Sequence, residues 1–107
     1  MNVHEEIEHI ITQNAVVLFM KGTPDEPLCG FSARVVEILH SLNVDCAVVD
    51  VIAQPAMRDG VKAFSDWPTL PQLFVQGTFI GGCDIVTEMY KTGELQKLFQ
   101  TSESPVA

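Results

Sequence analysis

The 107-residue sequence is 47% apolar and 19% charged, a balance suited to one domain with its own core. Its formal net charge is −8 with only six Lys and Arg residues, which argues against a nucleic-acid partner, because phosphate binding needs clustered cations. The longest apolar run, Ala15 to Met20, falls far short of the roughly 20 residues that span a bilayer, and the acidic start, Met1-Asn2-Val3-His4-Glu5-Glu6, is unlike a secretory or transit leader.

Val3, Ile7, Ile10 and Ile11 repeat at helical spacing, with Glu5, Glu6, Glu8 and His9 opposite, predicting an amphipathic helix over 3–13 that Asn14 ends. Residues 15–20 are continuously apolar and rich in branched side chains, the pattern of a strand buried on both faces. Residues 21–28, with Pro24 and Pro27, read as a loop. Phe31, Val35, Ile38, Leu39 and Leu42 then place a helix over about 29–42, followed by a strand over 44–51. That β-helix-β order implies a parallel pair joined by a right-handed crossover. Pro55 suits the first turn of a helix over 56–65 that carries Met57, Val61 and Phe64. Trp67-Pro68-Thr69-Leu70-Pro71 is too proline-rich for a helix. Residues 72–75 and 78–80 flank Gln76-Gly77 as a tight hairpin. Asp84 is the expected N-cap of a helix through Tyr90, with Gly93 as its stop. Leu95, Leu98 and Phe99 support a final helix, and residues 101–107 read as a frayed, flexible tail. The expected fold is a single α/β domain, βαβ then ββα, with a four-stranded mixed sheet and helices on both faces.

Cys29, Cys46 and Cys83 form no C-x-x-C pair. An odd cysteine count without an export signal favours free thiols in a reducing cytosol. Cys29 sits where a proline-containing loop turns into a helix directly after a strand. The free N–H groups and macrodipole of a helix start favour an anion there, and such a thiol can be acidified from ~8.5 into the range ~3.5–7.5. Lys21, ending the preceding strand, is placed to add a positive charge. The alternative, an inert core thiol, suits Cys46 better, which falls within an apolar strand. A phosphatase-type loop needs five residues between nucleophile and arginine, whereas four separate Cys29 from Arg34. His4, His9 and His40 lie on solvated helix faces, so a structural zinc site is not expected.

Lys21-Gly22-Thr23-Pro24-Asp25-Glu26-Pro27-Leu28-Cys29-Gly30-Phe31-Ser32 resembles the active-site loop of the monothiol, CGFS-type glutaredoxins. Trp67-Pro68-Thr69-Leu70-Pro71-Gln72-Leu73-Phe74 and Gly81-Gly82-Cys83-Asp84-Ile85 are similar to that family's other two signatures, in register from about Val3 to Phe99. Leu28 departs from a position often polar in relatives. The resemblance implies a thioredoxin-like fold, a glutathione site and a [2Fe–2S] cluster bridging two subunits. It further implies that Cys29 ligates iron and that Lys21 and Arg58 hold glutathione carboxylates. Leu70, before a cis proline at Pro71, would offer backbone hydrogen bonds, while Gly82, Cys83 and Asp84 would receive the γ-glutamyl end.

The ligand count agrees with that implication. A [2Fe–2S] centre takes four thiolate-type ligands, two chains supply two, and glutathione is an abundant source of two more. The protein is therefore expected to be a monomer without cluster, a homodimer with it, and a donor to iron–sulfur acceptor proteins. Ser32 stands where a dithiol site would have its resolving cysteine. The alternative function is a glutathione-dependent thiol–disulfide oxidoreductase using Cys29, with glutathione or Cys83 resolving. Cys83 is read as serving through its backbone rather than its sulfur.

Overall fold

Asn2 opens the first helix, α1 (Val3–Gln13), through a reciprocal cap: its side chain accepts the Glu5 amide at 2.9 Å, and Glu5 Oε1 accepts the Asn2 amide at 3.2 Å. The computed structural model describes residues 1–103. Strand β1 (Val16–Met20) follows, buried at every position. Helix α2 (Gly30–Ser41) has Cys29 as its N-cap, and β2 (Ala47–Asp50) comes next. Helix α3 (Pro55–Ser65) carries Pro55 in its first turn, where a missing N–H costs nothing. Strands β3 (Gln72–Val75) and β4 (Thr78–Gly81) precede α4 (Cys83–Thr92) and α5 (Glu94–Glu103).

The sheet has the order β2-β1-β3-β4. β1 and β2 are parallel, while β3 runs antiparallel to both β1 and β4. This is the four-stranded mixed sheet expected from the sequence. The hairpin turns on Gln76 and Gly77, with φ values of 51° and 77°, the two-residue geometry whose twist matches that of the strands.

Alternation along β1 divides the core in two. Val16, Leu18 and Met20 face one cluster with Val35, Ile38, Val86 and Leu95, from α2, α4 and α5. Val17 and Phe19 face the other with Ile7, Met57, Val61 and Phe74, where Phe19 meets Phe74 edge-on at 5.5 Å. Each fully buried side chain of this size contributes roughly 1.5–3 kcal/mol over an exposed one. Helices therefore cover both faces, which holds the C-terminal end of β1 and the start of α2 in fixed register.

Apart from shifts of one or two residues at several element ends, three boundaries differ from expectation. The second strand is shorter than 44–51: Asn43 takes φ 56°, and the Val44 amide still bonds back to Leu39 O at 3.1 Å. Cys46 consequently precedes β2 rather than lying within it, half-buried against the first cluster. Gly82, not Asp84, caps α4, which leaves Asp84 exposed in the first turn. Residues 101–103 of the expected tail are helical instead, because α5 runs to Glu103. Residues 104–107 of that expected tail lie outside the described residues. Among the described residues, no helix is long and apolar enough to cross a membrane.

Candidate functional site

The loop between β1 and α2 brings Lys21 and Cys29 to one place. The Leu28 amide donates to Lys21 O at 2.9 Å, closing the loop at its base. From there the chain enters α2 with Cys29 extended, at φ −153° and ψ 134°. Cys29 caps the helix with its backbone alone, since its sulfur makes no cap hydrogen bond. The Ser32 backbone N–H nevertheless favours the thiolate most and sets the thiol pKa below its ordinary value. Burial opposes that shift, while the Phe31 N–H, the Lys21 charge and the Ser32 hydroxyl reinforce it. Ser32 itself is fully buried, and its Oγ accepts the Lys21 amide at 3.1 Å.

A cleft of about 440 Å³ opens beside Cys29, a volume typical of small-ligand sites. Lys21 and Lys62 line it together with Leu70, Gly82, Cys83 and Asp84. Trp67, Pro68, Thr69 and Leu70 form one wall, which runs into a cis Leu70–Pro71 peptide. Gln72, fully buried at the start of β3, braces that wall by donating from Nε2 to Trp67 O at 3.0 Å and Thr69 O at 3.2 Å. Gly82 lets the wall approach α4: a Cβ there would lie 3.3 Å from Pro71 O and 3.4 Å from Trp67 Nε1.

Two helix starts thus converge on the cleft, α2 at Cys29 and α4 at Gly82. Their first N–H groups lack intrahelical acceptors and carry partial positive charge. Two lysines add to them on a protein of net charge −8. The arrangement can hold anionic groups beside the acidified Cys29 thiol, with the Asp84 carboxylate left to meet a cationic one.

Comparison with known proteins agrees with this geometry. The family profile described as Glutaredoxin matches residues 16–80. A probable monothiol glutaredoxin 2 of Rickettsia felis is 52% identical over 96 residues, which cover 90% of this chain and 92% of the relative. The chain belongs to the monothiol glutaredoxin family. The solution structure of reduced poplar apo GrxS14 is 48% identical with a TM-score of 0.80, covering 92% of this chain and 90% of that one. The solution structure of a monomeric truncated mutant of Trypanosoma brucei 1-C-Grx1 is 40% identical with a TM-score of 0.85, covering 94% and 91% of the two chains. The fold is accordingly the thioredoxin-like α/β fold of glutaredoxins.

Of the residues singled out from this glutaredoxin's sequence, Lys21, Cys29, Leu70, Gly82, Cys83 and Asp84 meet in the one cleft. Arg58 does not line it, and its Nε lies 3.4 Å from Asp59 Oδ1 at the surface. Lys62, one helical turn further along α3, takes the place beside Trp67. The i, i+4 spacing puts both cations on one helix face, a pattern visible in the sequence, but only the tertiary path of the Trp67 segment selects between them. Cys83 Sγ lies 3.9 Å from Thr87 Oγ1, one turn along its own helix. Cys46 sits apart, its thiol pKa pushed up by burial and then by the neighbouring Asp45 carboxylate. Ser32 and Gln72 are structural partners that sequence reading missed, because their acceptors and donors are chosen by the fold.

Proposed function

We propose that this monothiol glutaredoxin binds glutathione in the cleft beside Cys29 and carries a [2Fe–2S] cluster as cargo for iron–sulfur acceptor proteins. The observation that carries the reading is the acidified thiol of Cys29, which lines one cleft together with Lys21 and Lys62. Among the described residues no three His, Cys, Asp or Glu side chains gather to hold a metal. Of the two cysteines that line the cleft, Cys29 is the acidified one and is the thiolate each chain brings to iron in this reading, so a cluster that takes four thiolate-type ligands needs three more. A second chain and two glutathione thiolates supply them.

Glutathione suits the remaining groups. Its carboxylates match Lys21 and Lys62, with Arg58 one turn away, as charge-assisted partners. The Leu70 backbone lies along the cleft wall for the peptide to pair with. The N–H groups at Gly82 and Cys83 suit the γ-glutamyl carboxylate, and Asp84 suits the free amine. Leu28 and Phe31, 64% and 62% exposed beside Cys29, form an apolar rim of the kind that protein partners cover. That rim supports a homodimer formed around the cluster, and with the bridging cluster gone the two chains are expected to separate. Anaerobic reconstitution with iron, sulfide and glutathione tests the reading: the protein should become coloured, and the Cys29→Ser variant should stay colourless. A cluster retained by that variant, or formed equally well without glutathione, would overturn it.

A second reading rests on the acidified thiol itself. The Cys29 thiolate can attack a glutathione mixed disulfide, expelling the protein thiolate and taking up the glutathionyl group. A second glutathione thiolate then removes that group as glutathione disulfide. Ser32 provides no thiol for internal resolution, which ranks this activity below cluster carriage. A coupled reductase assay on a glutathionylated peptide measures it.

A further inference from the structure

The loop before Cys29 is a preformed body rather than a flexible tether. Thr23 and Glu26 exchange backbone hydrogen bonds at 3.2 and 3.1 Å, Gly22 bridges to Pro27, and Leu28 closes on Lys21. The fold is tight at Gly22, whose φ is +91° and where a Cβ would sit 2.5 Å from Glu26 O and 2.8 Å from Leu28 N.

Two side chains hold the loop. Ser32 takes the Lys21 amide from the α2 side. From the other side, Asp50 Oδ1 at the end of β2 accepts the Gly22 amide at 3.0 Å. The same oxygen accepts the Ile52 amide at 2.9 Å and the Ala53 amide at 3.3 Å. One carboxylate oxygen thus ties the active-site loop to the turn that leads into α3, the helix carrying Lys62. Among the described residues no cation pairs with Asp50, so its charge is directed at these amides.

We propose that Asp50 is a positioning residue for the ligand cleft: it fixes the Lys21–Leu28 loop through the Gly22 amide, and thereby sets where Lys21 and Cys29 face bound glutathione. The proposal rests on the glutathione reading above. Asp50 stands outside the cleft lining and acts through the loop. Its carboxylate is held below the ordinary carboxylate range even though partial burial opposes this, because the Ile52, Gly22 and Ala53 amides favour the anion.

The test compares wild type, Asp50→Ala and Asp50→Asn by glutathione calorimetry and by amide hydrogen exchange. Removing the acceptor in Asp50→Ala should weaken glutathione about tenfold, as expected for loss of a charge-assisted hydrogen bond that orients a binding group. Exchange should accelerate at Gly22 and through the loop, while amides of β1 keep their protection. Asp50→Asn retains an oxygen acceptor and should restore affinity to within about threefold of wild type. If Asp50→Ala does not fold, Asp50→Ser, too short to reach Gly22, is held to the same outcomes. Affinity unchanged within about twofold despite lowered thermal stability would reduce Asp50 to a structural role and overturn the proposal. Unchanged loop exchange would overturn it too. Absence of glutathione binding by the wild type would instead sink the proposed function, leaving the exchange measurement to judge the anchor.

Discussion

The hydroxyl oxygen of Ser32 accepts the Lys21 amide at 3.1 Å from a fully buried position, and the same hydroxyl favours the Cys29 thiolate. Ser32, which stands where a dithiol site has its resolving cysteine, is therefore also a brace between the end of β1 and α2. Ser32→Ala leaves the part-buried Lys21 N–H without its acceptor, which costs about 1–3 kcal/mol. Urea denaturation should show that loss, and an unchanged midpoint would remove the brace. Ser32→Cys must fit a larger sulfur into the same closed space, so it should lose stability as well as gain a resolving thiol.

The two thiols outside α4 should separate by pH. Cys29, acidified by the Ser32 N–H against the cost of burial, should alkylate rapidly at pH values where an ordinary thiol is still protonated. Cys46, raised by burial and by Asp45, should lag even in mild alkali. Timed labelling with iodoacetamide and peptide mass spectrometry gives both rates. Equal labelling of Cys29 and Cys46 across the range would contradict the assignment.

The cations of α3 should not be equivalent. Lys62 lines the cleft, whereas Arg58 is engaged with Asp59 at the surface. Lys62→Glu and Lys21→Glu should each weaken glutathione binding about tenfold or more, equivalent to ~1.4 kcal/mol. Arg58→Glu should do less. Calorimetry that ranks Arg58 above Lys62 would show that the ligand lies further along α3 than the cleft suggests.

Asp50 gives the fold an acid-sensitive contact. Its folded pKa is depressed, since the Ile52, Gly22 and Ala53 amides outweigh the opposing effect of partial burial. The stabilisation is complete above the unfolded carboxylate value of about 3.9 and disappears as pH falls through the lower folded value. Wild type should therefore lose stability in that acid range relative to Asp50→Asn, which carries no titrating group there. Parallel stability curves for the two proteins between pH 5 and the acid limit would contradict this.

Much of this was legible in the chain itself. The apolar periodicity of residues 3–13 and the Gln76-Gly77 turn each encode local geometry, and both appear as expected. The clustering of Lys21, Cys29, Leu70 and Gly82 was legible through three family-like motifs, because motif residues converge when the fold is shared. Local pattern overreached at Val44 and Cys46, where apolar residues imitate a strand although the Val44 amide still belongs to the end of α2. It also favoured Asp84 as a cap, while the close approach of Pro71 and Trp67 calls for glycine at that corner. The Ser32–Lys21 and Asp50–Gly22 contacts span 11 and 28 residues. Lys62 was missed for a related reason. Such pairings depend on sheet register and loop path, which a single sequence does not display.

Native mass spectrometry of the coloured protein, reconstituted with iron, sulfide and glutathione, weighs the shared cluster itself. The spectrum should show one species whose mass equals two chains, one [2Fe–2S] unit and two glutathione molecules, and which falls to single chains when the cluster is removed. A cluster retained on a single chain, or on a dimer devoid of glutathione, would contradict that sharing.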